Sequence, residues 1–415
     1  MKKFFTICLI ALLIIPMAFA AKPKEVNPAM DKKLAAVTDY NMPLTPRAKA
    51  MGGAGLAMPG RADAFFMNPA GFAKRVGVFL PSVDVTVYHP YDLLSRADEN
   101  SLSIVDALIE GKDDPDAMTK AVPKILGMIK NGRGKLMDVN AAVAFDFAGF
   151  AFGVNVNDAL YTFGNGSGNV DSYLFDELNV TANVGLGLRF KLGDKMWIDA
   201  GANVRPTYKA YSMAIGAPAV QDALDTTKYE NPADYFMKDV TLAAGFGVPF
   251  DLGLNFSGSW WSVGIVGRNI LGTYNMKSYD SIDQFSTTWS DAFSGKDFKI
   301  DTPWSLDFGF GFKWDNAFFK PTLVCDVVDI VGMCTVDEFT ARTFMEHLKV
   351  GAELRLLSFL DVRAGLSEGY WSLGAGLDLA IIKVDLAYYW SEFGDQLGDY
   401  GLDALSVRVN VGFDR

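Results

Sequence analysis

Arg47–Phe72 reads RAKAMGGAGLAMPGRADAFFMNPAGF, and the rest of the chain is organised around this stretch. It carries five glycines and two prolines among small residues, with three basic side chains and one acid. Its apolar residues follow neither the period of a helix nor that of a strand. Glycine permits tight turns and close backbone approach, and proline ends regular elements. Downstream comes one alternating segment after another, so a compact irregular piece placed before them suits the closing of whatever they enclose. An ordinary N-terminal tail is the plainer alternative.

Upstream, Lys2 and Lys3 precede an apolar run from Phe4 to Phe19 and the small residues Ala18, Ala20 and Ala21. That is the layout of a secretory signal peptide, residues 1–20, cleaved after Ala20. Residues 21–46 then read as a largely irregular periplasmic arm interrupted by Pro23, Pro28, Pro43 and Pro46, with one short helix expected near Met30 to Val37. The formal charge of -11 becomes about -13 once Lys2 and Lys3 leave. An acidic chain is a poor match for nucleic acid, whose phosphates attract lysine and arginine. No later run of about 18 uncharged apolar residues occurs, which argues against a helical membrane protein. Cys8 leaves with the signal. Cys325 and Cys334 stand close enough in sequence to pair in an oxidising compartment, yet two cysteines make neither a disulfide framework nor a metal site.

The alternating segments have two unlike faces. Val139, Ala141, Val143, Phe145 and Phe147 share one side of a strand, opposite Asp138, Asn140, Ala142, Ala144 and Asp146. Leu306, Phe308, Phe310, Phe312 and Trp314 likewise oppose Asp307, Gly309, Gly311 and Lys313. Period two marks a strand between two environments. The polar faces are short of lysine and glutamate and rich in glycine, asparagine and isolated Arg or Asp. That composition fits a crowded, wet interior better than a free surface, and the aromatic faces then meet lipid. A soluble all-β protein is the competing reading.

Fourteen segments are expected as strands: 76–88, 137–147, 149–157, 177–190, 196–209, 238–250, 259–270, 302–314, 317–330, 347–357, 359–367, 370–380, 382–391 and 402–413. Long connections at 89–136, 158–176, 210–237, 271–301 and 331–346 alternate with short ones. The fold class this predicts is all-β, a 14-stranded antiparallel transmembrane barrel of the outer membrane, residues 76–415, with helical segments in its outer loops. Loop 89–136 carries apolar residues at helical spacing, among them Leu108, Val122 and Ile125, which are candidates for capturing a hydrophobic ligand. A second helix is expected at about Val336 to His347.

MGGAGLAMPGRADAFFMNPAGF resembles the N-terminal signature of the FadL superfamily of outer-membrane long-chain fatty-acid transporters. The matching positions are Met51, Gly52, Gly53 and Ala54, then Asp63 and Ala64, then Asn68, Pro69, Ala70 and Gly71. Further along, GRNILG (Gly267–Gly272), the DVVDI run ending at Ile330, HLKVGAEL (His347–Leu354) and VRAGLSEGYWSLGAGL (Val362–Leu377) are similar to the TraF-like and spirochaetal branch. The resemblance implies a fourteen-stranded barrel whose lumen holds an N-terminal hatch, residues 47–75, including Arg47, Gly52, Gly53, Gly55, Asp63, Asn68, Pro69, Ala70 and Gly71. It also implies that a hydrophobic substrate enters from outside and leaves sideways through the wall.

The functional expectation is passive passage of hydrophobic small molecules, long-chain fatty acids or similar, through a plugged barrel. The alternative is a structural or docking barrel for a secretion or surface complex. Expected partners are outer-membrane lipid, a hydrophobic small-molecule ligand and a protein at the long outer loops; the chain is expected to be a monomer. No cofactor is expected, and His89 and His347 have no nucleophile beside them. Asp326 and Asp329 are weak candidates for a divalent ion. Inward arginines at 189, 205, 355, 363 and 408 share polar faces with acids that include Glu353 and Asp385. Two readings stay open: these charges pair within the wall, or they anchor the hatch through Arg47 and Asp63.

Overall fold

A computed structural model describes residues 44–59, 62–74, 76–90, 132–147, 149–164, 173–212, 215–216, 237–314, 316, 319–336, 338–357, 359–393, 397–398 and 401–414. The first four strands are β1 (Val76–Tyr88), β2 (Gly132–Phe147), β3 (Phe150–Gly164) and β4 (Tyr173–Gly193). The next four staves of the wall are each broken. They comprise β5 (Met196–Val204), β6 (Thr207–Ser212) and β7 (Ile215–Gly216); β8 (Leu242–Gly247) and β9 (Phe250–Ser257); β10 (Trp261–Ile270) and β11 (Thr273–Tyr279); and β12 (Phe298–Asp301) and β13 (Ser305–Lys313). Six more complete the circle: β14 (Phe319–Val327), β15 (Leu348–Leu356), β16 (Leu360–Ser367), β17 (Tyr370–Leu379), β18 (Ile382–Glu392) and β19 (Gly401–Asp414). Each stave pairs antiparallel with its neighbours, and β1 closes the barrel by pairing with both β2 and β19. Fourteen staves form the wall, as the alternation predicts.

Closure gives every stave a neighbour on both sides, which is what a sheet in lipid needs. Outward positions carry the apolar side chains: Phe145, Phe147, Leu186, Leu188, Phe308 and Phe310 are all exposed. In water such a surface would aggregate; around a closed barrel it is the lipid-facing band of an outer-membrane protein. No helix among the described residues is long and apolar enough to cross a membrane, and the crossing is made by strands.

The breaks mark the upper edge of that band. β5, β9, β10 and β13 run 9, 8, 10 and 9 residues, close to the roughly 9–11 that a tilted strand needs to cross a bilayer. Pro206 and Pro249 lack the N–H that would continue the ladder. The wall stays sealed because Arg205 N–H donates to Pro249 O (2.9 Å) and Ala182 N–H to Pro206 O (3.0 Å). Leu271 (φ 57°) turns β10 into β11. Above the breaks β6, β8, β11 and β12 continue as an upper sheet. Helix Ile282–Thr288 and the 3-10 turn Trp289–Ser294 cover its outer face, with Phe293 against Tyr208 (5.2 Å) and Phe246 (5.3 Å). Strand therefore occupies parts of the stretch 271–301 expected as loop.

One local expectation is corrected. The helix expected over Val336–His347 is shorter, Ala341–His347, because Thr340 caps it with a capping box; a separate helix, Ile330–Thr335, precedes it, capped by Asp329. Cys325 and Cys334 are both free and exposed, Cys325 on the lipid-facing side of β14 opposite Phe310 and Val350.

Candidate functional site

Residues 44–59 and 62–74 lie inside the wall. Helix α1 (Pro46–Ala50) starts where the Thr45 hydroxyl accepts the Ala48 N–H (3.3 Å) and Pro46 supplies a preset φ. It ends at Gly52 and Gly53, whose φ of 63° and 74° suit glycine. After a turn, two short 3-10 helices follow, Ala62–Phe65 and Pro69–Lys74. Asn68 is fully buried and joins the two halves. Its Nδ2 donates to Leu56 O (2.8 Å), and its Oδ1 accepts Ala70 N–H (2.9 Å), an Asx turn that sets Pro69 in place. Phe65 and Phe72 pack edge to face at 4.9 Å. Met51, Ala54, Leu56, Ala70 and Phe72 have at most 1% of their surface exposed.

Inward glycines explain how the segment fits. A Cβ at Gly201 would stand 2.1 Å from Pro69 O, and one at Gly253 2.2 Å from Asn68 Oδ1. A Cβ at Gly187 would lie 2.4 Å from Ala73 N, and at Gly365 2.2 Å from Gly52 N. Gly264 and Gly351 meet the backbone of Leu56 and Met51 in the same way. These glycines come from β4, β5, β9, β10, β15 and β16. They form a belt on which the segment's backbone rests directly.

Polar groups of the wall then satisfy the segment's backbone. Gly55 and Leu56 N–H both donate to Asp326 Oδ2 (2.6 and 2.9 Å). Arg268 donates to the carbonyls of Phe66 (2.8 Å) and Met67 (2.6 Å) and pairs with Asp307. Asn255 donates to Ala57 O (3.1 Å), and the Ser372 hydroxyl bridges Ala50 O and Gly52 N–H (3.0 Å each). The sequence reading missed Arg268, Asn255 and Ser372. Their only signal was an inward polar position beside an inward glycine. Asp326, a weak ion candidate, is instead an acceptor for backbone N–H, and Asp329 caps a helix. Among the described residues no group of three His, Cys, Asp or Glu is placed to hold a metal.

One ion pair ties the segment to the wall. Arg47 reaches Asp63 within the segment (2.6 Å) and Glu353 on β15 (2.7 and 2.9 Å), while the Thr45 hydroxyl donates to Asp63. Burial works against the Arg47 charge, but Glu353 and Asp63 outweigh it and hold its pKa above the ordinary value. Burial likewise opposes the Asp63 charge; Arg47 and Thr45 overcome it and draw its pKa down. The remaining inward charges pair within the wall: Arg189 with Asp199 (2.7 Å), Arg205 with Asp251 (2.8 Å), Arg355 with Asp361 (2.7 Å), and Arg408 with Asp84 (3.2 Å). Arg363 binds Glu353 (2.8 Å), Asp361 (2.9 Å) and Asp385 (2.6 Å) at once. Wall-to-wall pairs are the more numerous, and Arg47 with Glu353 joins the segment to the wall. His89 contacts Asp403 (3.1 Å) and His347 the Val328 carbonyl (2.9 Å), each at a strand end.

The lumen differs on the segment's two sides. Toward the short turns lies a cavity of about 600 Å³ whose lining is dense in charge, including Arg189, Lys320, Arg355, Asp361, Arg363 and Asp385. Toward the long connections aromatic and apolar side chains gather among buried ion pairs, Lys209 with Glu177 and Lys135 with Asp138 (3.4 Å). Tyr161, Tyr211, Tyr274, Met276 and Ile300 cluster on one side, and Tyr88, Tyr389 and Leu402 on the other. Leu108, Val122 and Ile125 lie outside the described residues.

The wall also has a flaw beside the segment. Pro81 sits inside β1, and the register with both β2 and β19 slips there. Next to it, a crevice of about 20 Å³ is lined by Phe65 and Phe66 of the segment, by Ser82, Ala142, Ala144 and Gly153, and by the lipid-facing Val143 and Val154.

No protein-family model and no curated protein sequence matches the chain. Among solved structures it is similar to the CymD monoaromatic hydrocarbon channel, at 12% identity and a TM-score of 0.46, over 90% of this chain and 97% of that one. It is similar to the Ralstonia pickettii toluene transporter TbuX at 13% and 0.45, over 90% and 98%. For the Pseudomonas putida toluene transporter TodX the values are 11% and 0.44, over 89% and 97%. Overlap this loose adds nothing to the barrel's own geometry.

Proposed function

We propose that this barrel carries hydrophobic small molecules into the cell envelope, with residues 44–74 as the plug that keeps its lumen closed to water. The observation that carries the reading is the cluster of tyrosine, methionine and isoleucine on the long-connection side of the plug. An uncharged or amphipathic molecule gains by leaving water for a lining of tyrosine, methionine and leucine, at roughly 25 cal/mol per Å² of apolar surface buried. Beyond the plug, entry into the charge-rich cavity would displace water from paired arginines and carboxylates, which disfavours an uncharged molecule there. Its favourable way out is sideways into lipid. The slip in β1 at Pro81, with Phe65 and Phe66 behind it, supports that route. Long-chain fatty acids are the substrate class that the FadL-like signature implies, and Leu108, Val122 and Ile125 of the first long connection are proposed to gather them.

Extraction from native membranes in mild detergent tests the reading. Copurified fatty acid or a similar apolar molecule, released on denaturation, is the expected result. A stoichiometric protein partner with no bound apolar molecule would favour a docking barrel and overturn transport.

A further inference from the structure

The cavity on the short-turn side of the plug lies off the route proposed for an apolar molecule, and its charge is unlike that of the chain as a whole. The protein is acidic, at -11 overall. Yet among the described residues eight basic and five acidic side chains line this cavity. The way they are held sharpens the excess. Arg189 pairs with Asp199, but the arginine side chain is 38% exposed and the aspartate 0%. Arg355 and Asp361 divide in the same way, at 28% and 5%. In each pair the carboxylate sits back against the wall and the guanidinium reaches the water. Trp197 supports Arg189 there, its ring centre 5.5 Å from the guanidinium.

The wall sets further cations beside these pairs. Lys320 of β14 stands directly opposite Arg355 of β15, and Lys313 of β13 opposite Thr322, so three cations occupy neighbouring strands along one rim of the cavity. Lys313 and Lys320 are exposed. Like charges directly opposite one another on a sheet are destabilising, and walls of low dielectric focus their field into the space they enclose. An anion entering that space relieves the repulsion. Arg189, Lys313, Lys320, Arg355 and Lys383 are spread over five strands, so a single small ion meets only one or two of them, whereas a chain with several carboxylates meets them together. A volume of about 600 Å³ is that of an ordinary ligand site and has room for a few residues of such a chain. Short turns of an outer-membrane barrel face the periplasm. We infer that this cavity receives an acidic segment of a periplasmic protein. Arg47 lines the same cavity, so the occupant lies against the ion pair that ties the plug to the wall. The inference is independent of what passes through the barrel.

The test measures binding of end-capped tetraglutamate to the full-length protein in non-ionic detergent by calorimetry, with end-capped tetraglutamine and inorganic phosphate as the other probes. Wild type should bind tetraglutamate at about 20 mM salt, lose most of that affinity at about 0.5 M, and ignore tetraglutamine. Lys313→Gln with Lys320→Gln should weaken tetraglutamate roughly three- to tenfold, the size expected for two exposed ion pairs. Lys191→Gln with Lys195→Gln removes the same charge at the junction of β4 and β5, outside the cavity lining, and should leave binding near that of wild type. Heat-modifiable gel mobility establishes that each variant is folded. Wild type that fails to bind tetraglutamate overturns the inference. So does an equal loss in both double variants, which would place the effect in diffuse charge at the rim. Phosphate binding as tightly as tetraglutamate would mark a simple ion site and overturn it too. Each of these results leaves the transport reading untouched.

Discussion

The glycine belt allows a sharp test of the plug. In Gly201→Ala the new methyl would sit 2.1 Å from Pro69 O, and in Gly253→Ala 2.2 Å from Asn68 Oδ1. Ordinary contact needs about 3.5 Å, so backbone on one side must move by more than 1 Å. Overpacking of this kind typically costs about 1–3 kcal/mol per site. Both methyls press on one turn, so their effects share a single relief and sum to less than the separate costs. The wall is a continuous ladder and resists; the plug is held by a handful of contacts, chiefly Arg47 with Glu353, the Asp326 acceptor and Arg268. The turn at 68–70 should therefore yield. A net shift of about 2 kcal/mol raises the open population roughly thirtyfold. Planar-bilayer recordings of the double variant should show frequent openings that wild type lacks, and protease should cut the segment faster. Gly193→Ala is the control, since its nearest neighbour would be Met196 Cε at 3.8 Å. A folded, heat-modifiable double variant with wild-type conductance, cleavage and melting would refute the tight seating of Asn68–Ala70 on the wall.

Deleting 47–72 should leave a folded wall and raise single-channel conductance well above the parent's; a deletion barrel that conducts no more than wild type would show that the segment is not a plug. Arg47→Met leaves Asp63 and Glu353 without their shared cation and should cost about 3–5 kcal/mol, seen as a lower melting temperature, with Arg47→Lys intermediate. Because Asp63 has a folded pKa below its unfolded value of about 3.9, its contribution is complete above that value and is lost only as pH falls through the lower, folded one. Protease protection of the segment should thus persist at pH 5, and loss of protection at pH 5 would contradict the pairing. Replacing Leu108, Val122 and Ile125 together by aspartate should leave insertion intact and weaken uptake of an apolar probe; unchanged uptake would make that connection purely structural.

The wall was legible because lipid and lumen impose opposite demands on alternate residues, and Phe308–Gly309–Phe310–Gly311 records both. The broken staves were not. Pro206 and Pro249 fell inside the expected strands 196–209 and 238–250, whereas in the barrel each interrupts a ladder that resumes above the lipid band. The inward charges were visible as a set, but their pairing depends on register: Glu353 meets Arg363 across β15 and β16 only because those strands align residue for residue. Arg268, Asn255 and Ser372 were unreadable for a different reason. Their partners are backbone groups of the plug, and a backbone group leaves no mark in a sequence.

A wall cut this closely to its contents cannot be filled after it has closed. Side chains such as Arg268 and Asn255 reach inward past the belt and would bar a segment arriving late through either mouth. The order of the chain removes the difficulty. The segment precedes β1, and β19, the last strand, seals against β1 along Val83–Val409, Val85–Val407 and Val87–Leu405. While that seam is open the growing sheet is a trough, and the segment is already tethered at its edge. Closing the seam traps it. In this sense the plug is enclosed by the wall as it closes rather than inserted afterwards, and the seam that traps it is the one that carries Pro81.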